Sequence, residues 1–275
     1  MTSDGYLLEN RAPQTEGRFA GLSAVFDPGT VVHLEALGVG PGWQCLEIGA
    51  GGPSIPRWLA ERVGQTGRVV ATDLDTRWLE AAELPHVELR RHDVANDPLE
   101  EDHFDLVHAR LVLVHVPDRL QALRRMFSAV RPGGWLCIED FDCVTVPPFV
   151  EPQGPAEELA TRYNEAFYRL LASRGADLHF GSRLPRLLCR LGLLDVRAAG
   201  RIIYGGPGIG QVVTANTDQV RAGLVAEGLT DDDIDRYIAM VADPDFPMSL
   251  PLMVAAWGRR PLHRETPKPQ EPTRL

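Results

Sequence analysis

The chain has 275 residues, 44% apolar and 24% charged, which suits one large α/β domain or a core domain carrying a cap. Its formal net charge of −10 sets the overall field against phosphate backbones and disfavours a nucleic-acid partner. No run approaches the roughly 20 apolar residues of a membrane span, the opening MTSDGYLLENRAPQ has no secretory pattern, and the cysteines at 45, 137, 143 and 189 lack CxxC spacing. The expectation is a soluble cytoplasmic protein with neither a metal site nor a disulfide framework.

Residues 1–40 are predicted helical, with Phe19, Leu22, Val25 and Phe26 near helical spacing. Asp27-Pro-Gly-Thr30 is expected to break that run, with Thr30 capping a second helix through Leu37. A core over 41–145 then alternates strands and helices. Its strands are predicted at Gln44–Ile48, Arg68–Thr72, His86–Arg90, Phe104–His108 and Trp135–Glu139. Ser54 is the expected N-cap of the helix after the first strand, with Pro56 in its first turn. Asp75 or Thr76 opens a short helix, and a longer one runs from about Asp118 to Val130, where Arg131-Pro-Gly-Gly134 ends it.

Pro147, Pro148, Pro152 and Pro155 mark a linker, after which 146–192 reads as a helical cap with helices at Ala156–Ser173 and Arg183–Leu191. Residues 193–262 hold closing strands at Leu194–Tyr204 and Leu252–Gly258. Between them lie Gly205-Gly-Pro-Gly208 and more helix, including Asp231–Val241. The polar tail 263–275 is expected to be disordered. The fold class is α/β: a doubly wound, mostly parallel seven-stranded Rossmann-like sheet with N-terminal helices and an α-helical cap.

The stretch CLEIGAGGPSIPRWLAERVGQTGRVVATDLD, Cys45 to Asp75, carries the functional signal. A strand enters a glycine turn, a helix follows, and a second strand ends on Asp73. Glycines there let backbone N–H groups approach a ligand, and a carboxylate at the second strand end can accept both hydroxyls of a ribose. An adenosine-containing cofactor follows. The dinucleotide fingerprint G-x-G-x-x-G fits Gly49 and Gly51, but its third glycine is Ser54, and no residues suggest a hydride-transfer apparatus.

Glu47-x-Gly49-x-Gly51, then VVATDLD, His92-Asp93-Val94, FDLVHARLVLVHVPD and RPGG stand in order at suitable spacing. That set resembles the class I S-adenosylmethionine-dependent methyltransferases over about residues 38–142. Pro53 departs from a glycine many members have there. The resemblance implies that Asp73 takes the ribose hydroxyls, while Gly49 and Gly51 approach the methionine end and ribose. Leu74 would pack on adenine or ribose, and Asp93 with the Val94 N–H would read adenine. Glu47 would orient the turn or meet the cofactor's ammonium through water, or else be a buried carboxylate accepting turn N–H groups.

Arg110 follows the fourth strand, where the backbone would meet the cofactor's amino-acid end; a salt bridge explains its side chain equally well. Tyr6 and Arg18 belong to an N-terminal segment that often closes over such sites, and Arg18 either clamps the methionine carboxylate or is an exposed helix arginine. His115 is the candidate base and Asp140 the candidate carboxylate beyond strand five. Tyr163, Phe167 and Trp257 would line an apolar acceptor pocket, or pack as core. The implied activity is methyl transfer from S-adenosylmethionine to a small organic acceptor, leaving S-adenosylhomocysteine. A nicotinamide-dependent oxidoreductase and a non-catalytic cofactor-binding regulator are the alternatives.

Overall fold

The structure, a computed structural model, describes residues 7, 8, 10, 14–145, 153–205, 207–243, 246 and 248–262. Seven strands form one sheet: β1 (Gln44–Ile48), β2 (Arg68–Asp73), β3 (Val87–Arg91), β4 (Phe104–Arg110), β5 (Val130–Asp142), β6 (Leu194–Arg201) and β7 (Leu252–Arg259). Their order is β3-β2-β1-β4-β5-β7-β6. The first five run parallel, and β7 lies antiparallel between β5 and β6. The central strands are buried on both faces, which is why they read as unbroken apolar runs. Strand order reverses between β1 and β4, which puts the topological switch point, where ligands bind in such sheets, at the carboxyl ends of those two strands.

The helices are α1 (Thr15–Ala36), α2 (Ser54–Val63), α3 (Arg77–Glu80), α4 (Arg119–Ala129), α5 (Pro155–Ser173), α6 (Phe180–Arg190), α7 (Pro207–Ala226) and α8 (Asp231–Ala242). On one face of the sheet, Leu34 of α1 and Ile55, Leu59 and Val63 of α2 cover Cys45, Val69, Leu106 and Cys137. On the other, Leu123 and Met126 of α4 and Phe180, Leu184 and Leu188 of α6 cover Ile48, Val107, Leu136 and Ile138. A separate core joins α5, α7 and α8 with Phe26 of α1, and Leu111 and Phe141 pack against it from the strand ends. Among the described residues, no helix is long and apolar enough to cross a membrane.

Several expectations need correction. The predicted break at Asp27-Pro-Gly-Thr30 does not occur: α1 runs on through Pro28, and Thr30 lies buried mid-helix. Ser54 is the first helical residue rather than a cap; Pro53 holds the N-cap position and Ser54 Oγ accepts from Ser23 Oγ at 2.9 Å. Strand β5 starts at Val130, so Arg131-Pro-Gly-Gly134 lies inside a strand, and Glu139, Asp140 and Asp142 are strand residues. Pro155 opens α5 at N1, where its missing N–H is harmless. The second helix of the expected cap, α6, instead covers the sheet. Gly208 opens α7 in close contact with α1: a Cβ there would stand 2.8 Å from Val25 and 3.2 Å from Ala24. The predicted tail 263–275 lies outside the described residues.

Candidate active site

The chain leaves β1 through two glycines in the left-handed region, Gly49 at φ 62° and Gly51 at φ 60°. A Cβ on Gly49 would lie 2.5 Å from Val112 Cγ2, beyond the end of β4, and one on Gly51 would lie 2.8 Å from the Phe19 ring of α1. Asp73, at the end of β2, is buried and clasps this turn: its Oδ2 accepts the Gly51 N–H at 2.9 Å and its Oδ1 the Asp75 N–H at 2.9 Å. Burial pushes the Asp73 carboxyl above its ordinary range, against the opposing pull of those two N–H groups. Asp75 behaves as a cap, accepting the Arg77 N–H at the start of α3.

Asn10 reaches over this turn, although its residue type gave no signal in sequence. Its amide donates to Asp73 Oδ1 at 3.4 Å, and its carbonyl accepts the Trp78 indole N–H at 3.1 Å. Arg18 is buried rather than exposed: one terminal nitrogen donates to the Leu8 carbonyl at 3.1 Å and the other to Asn10 Oδ1. The guanidinium therefore latches the N-terminal segment, and its buried Nε has no partner among the described residues. Tyr6 lies outside the described residues.

Beside Asp73, a cleft of about 310 Å³ is lined by Leu74, Arg91, His92, Asp93, Asn96 and Asp97. Leu74 is exposed, 57%, and offers an apolar face. Asp93 caps its own loop, accepting from the Ala95 N–H at 2.9 Å and the Asn96 amide at 2.8 Å. Val94 packs into the sheet core, and Arg125 holds its carbonyl and that of Ala95.

After β4, a 3₁₀ turn at Leu113–His115 carries His115 close to Arg18. Burial, with the nearby cations Arg18 and Arg119, pushes the His115 imidazole down to about 4. Asp140 is fully buried and holds that turn, accepting the Val114 N–H at 3.1 Å. Burial raises its carboxyl to about 8 despite the backbone donors, and Oδ1 has no partner among the described residues.

Two residues with a cofactor role among their readings, Glu47 and Arg110, and three with an acceptor-pocket role, Tyr163, Phe167 and Trp257, make other contacts. Glu47 points into the layer beneath α1, where Oε2 lies 2.6 Å from His108 Nδ1; no turn N–H to its carboxylate is seen among the described residues. Arg110 turns the same way and donates to Thr30 and Asp27, both at 2.8 Å. Trp257 lies in that layer too, its ring 5.2 Å from His33. Tyr163 and Phe167 are core of the helical unit: Tyr163 stacks on Tyr237 at 3.7 Å and on Phe167 at 6.0 Å, with its hydroxyl 2.6 Å from Thr217 Oγ1. Helical spacing marks core and pocket alike, and these two are core.

Comparison with known proteins agrees with the crevice. A family model described as a methyltransferase domain matches residues 46–138. The methyltransferase str2 of Strobilurus tenacellus is 31% identical over 160 residues, covering 57% of this chain and 55% of the relative. A ubiquinone/menaquinone biosynthesis C-methyltransferase, UbiE of Laribacter hongkongensis, is 32% identical over 123 residues, 42% of this chain and 49% of the relative. The chain thus spans about half the length of these curated relatives. The Haemonchus contortus phosphoethanolamine N-methyltransferase 2, solved with S-adenosylhomocysteine, superposes with TM-score 0.59 at 15% identity, covering 95% of this chain and 61% of that one; this likeness concerns the fold. The ordered motifs, the sheet topology and the methyltransferase-domain match over residues 46–138 together make the chain similar to the class I S-adenosylmethionine-dependent methyltransferases.

Proposed function

We propose that the chain transfers the methyl group of S-adenosylmethionine to a small organic acceptor, an aromatic natural product or metabolite. One observation carries this reading: the glycine turn at the switch point is clasped by the buried carboxylate of Asp73. The residues fit the cofactor. The cradle has no room for side chains at Gly49 and Gly51, the Asp73 carboxylate would meet the ribose, and a mostly polar cleft with Leu74 as its apolar face lies beside it. Asp73 would hold the ribose, Leu74 and Asp93 the adenine, and Gly49 and Gly51 the chain toward methionine. Arg18 would order the N-terminal segment over them. The bound cofactor supplies an activated methyl electrophile, so this chain contributes mainly alignment and exclusion of water. The named relatives, which include a quinone-biosynthesis C-methyltransferase, support a small organic acceptor.

Titration calorimetry with S-adenosylmethionine, S-adenosylhomocysteine and NAD(H) tests the assignment. Both sulfur ligands are expected to bind and NAD(H) not to; binding of NAD(H) alone overturns it. His115 is assigned as the base for acceptors that lose a proton. Held near 4 by burial, its imidazole is neutral from about pH 5 upward. Asp140 positions it by fixing the 3₁₀ turn. His115→Ala is expected to lower kcat roughly 100-fold, within the usual range for a general base, with cofactor affinity unchanged. Parallel loss of folded stability and of activity would make His115 structural instead.

A further inference from the structure

The layer between α1 and the sheet holds a polar cluster that the proposed reaction does not use. Sheet register sets Glu47 of β1 beside His108 of β4, His108 beside Cys137 of β5, and Arg110 beside Glu139. All five side chains therefore share the face that α1 covers. Glu139 Oε2 accepts from Thr30 at 2.6 Å, and its Oε1 lies 2.8 Å from His33 Nδ1. A ring nitrogen of His108, the Cys137 Sγ and a Glu139 carboxylate oxygen all lie within 4.8 Å of one another, and all three residues are buried.

The state of His108 says what this cluster lacks. Glu47 Oε2, 2.6 Å from Nδ1, holds the ring in one orientation and favours the proton on that nitrogen. The other ring nitrogen, Nε2, is fully buried and has no hydrogen-bond partner among the described residues. A buried polar atom left unpaired is costly and rare. Carboxylate on Nδ1 and an open Nε2 is the arrangement that orients metal-bound histidines. With a thiol and a carboxylate beside it, the donor set is nitrogen, sulfur and oxygen, which suits zinc better than the oxygen-seeking magnesium or calcium.

We propose that His108, Cys137 and Glu139 form a buried zinc(II) site, oriented by Glu47 and roofed by α1. A tetrahedral zinc ion with bonds of about 2.0–2.3 Å sets its ligand atoms roughly 3.3–3.8 Å apart. The present span of 4.8 Å closes with side-chain adjustments of about an ångström. His33, hydrogen-bonded to Glu139, is the adjacent candidate for the fourth donor. As the zinc–sulfur bond forms, the Cys137 S–H bond breaks and its proton goes to solvent. The ion would tie α1 to β1, β4 and β5, directly below the turn that starts one residue beyond Ile48. It is a structural clamp, separate from the methyl-transfer chemistry.

The full chain, purified without chelator, should carry close to one zinc per molecule by elemental analysis. After chelator treatment, Co(II) should give the sulfur-to-cobalt charge-transfer absorption of a thiolate ligand, and Zn(II) should erase it and raise Tm. Cys137→Ser should lose the charge-transfer band, while Cys189→Ser, at an exposed cysteine, should keep both band and zinc. His108→Gln should weaken zinc binding at least tenfold. No zinc, no cobalt band and a Tm indifferent to Zn(II) in the wild-type chain would overturn the site, and that result needs no folded variant. A band that survives Cys137→Ser would also overturn it by placing the metal elsewhere. None of these readouts depends on methyl transfer, so failure of the site and failure of the proposed activity are separate results.

Discussion

Asp73→Ala is expected to weaken S-adenosylmethionine binding at least tenfold, and by more than any other single change in the crevice. The carboxylate has two jobs that alanine cannot do. Toward a bound ribose it is a charged acceptor, and hydrogen bonds to charged groups contribute about 1.5–3 kcal/mol each. Toward the protein it accepts the Gly51 and Asp75 N–H groups at 2.9 Å, which fixes the turn on which the cofactor would rest. Alanine leaves both N–H groups without that acceptor, and a desolvated unpaired donor costs about 1–3 kcal/mol. Calorimetry and urea unfolding should therefore show losses together. Asp73→Asn separates them: its amide oxygen can accept one N–H and keep part of the turn, while the charge that holds ribose is gone. Affinity unchanged in both variants would remove Asp73 from the binding site, whatever happens to stability.

The parts of this architecture legible in sequence are those decided locally. The strands β1, β2 and β4 are short buried apolar runs, and their ends are punctuated by Gly49, Asp73 and the segment after His108. Burial on both faces leaves that pattern little ambiguity. Pro28 was not legible. A proline inside a helix normally ends it, but α1 is held from outside by its close crossing with α7, where Gly208 meets Ala24 and Val25 and Gly21 meets Val212. Tertiary packing overrides the local preference there, and no nearby residue announces a partner so far along the chain.

The site divides the same way. Asp73, Gly49 and Gly51 follow from the chain's passage through one βαβ unit, so spacing along the chain finds them. Glu47 and Arg110 are assigned to the cofactor by motif position, yet their side chains turn beneath the sheet, because strand register sets Glu47 against His108 and Arg110 under Asp27 and Thr30. His108, Cys137 and Glu139 are even less visible. They come from two strands and carry no ligand spacing, so only the register of β4 against β5 brings them together. Asn10, the residue over Asp73, comes from a segment whose composition is indistinguishable from any polar N-terminus.

Asp140→Asn is expected to change the pH dependence of stability more than any other substitution on the reaction side of the sheet. The wild-type carboxyl titrates near 8 in the folded chain against 3.8 in an unfolded one, with burial as the leading cause. Between those values the unfolded chain has released a proton that the folded chain retains. Stability is therefore greatest below the lower value and falls as pH rises through this window, by up to about 1.4 kcal/mol per pH unit. Asparagine has no proton to release, and its amide oxygen can still accept the Val114 N–H that Asp140 now takes at 3.1 Å. Its NH₂ replaces an oxygen that already lacks a partner among the described residues, so the variant should be no more stable than wild type near pH 5. By about pH 8 the difference should have moved in the variant's favour by about 2–4 kcal/mol. Urea unfolding at the two pH values measures it directly. Parallel curves would mean that Asp140 is ionised in the folded chain across this range. The carboxylate would then be charged beneath the His115 turn, and Asp140 rather than His115 would be the better placed of the two to take a proton from an acceptor.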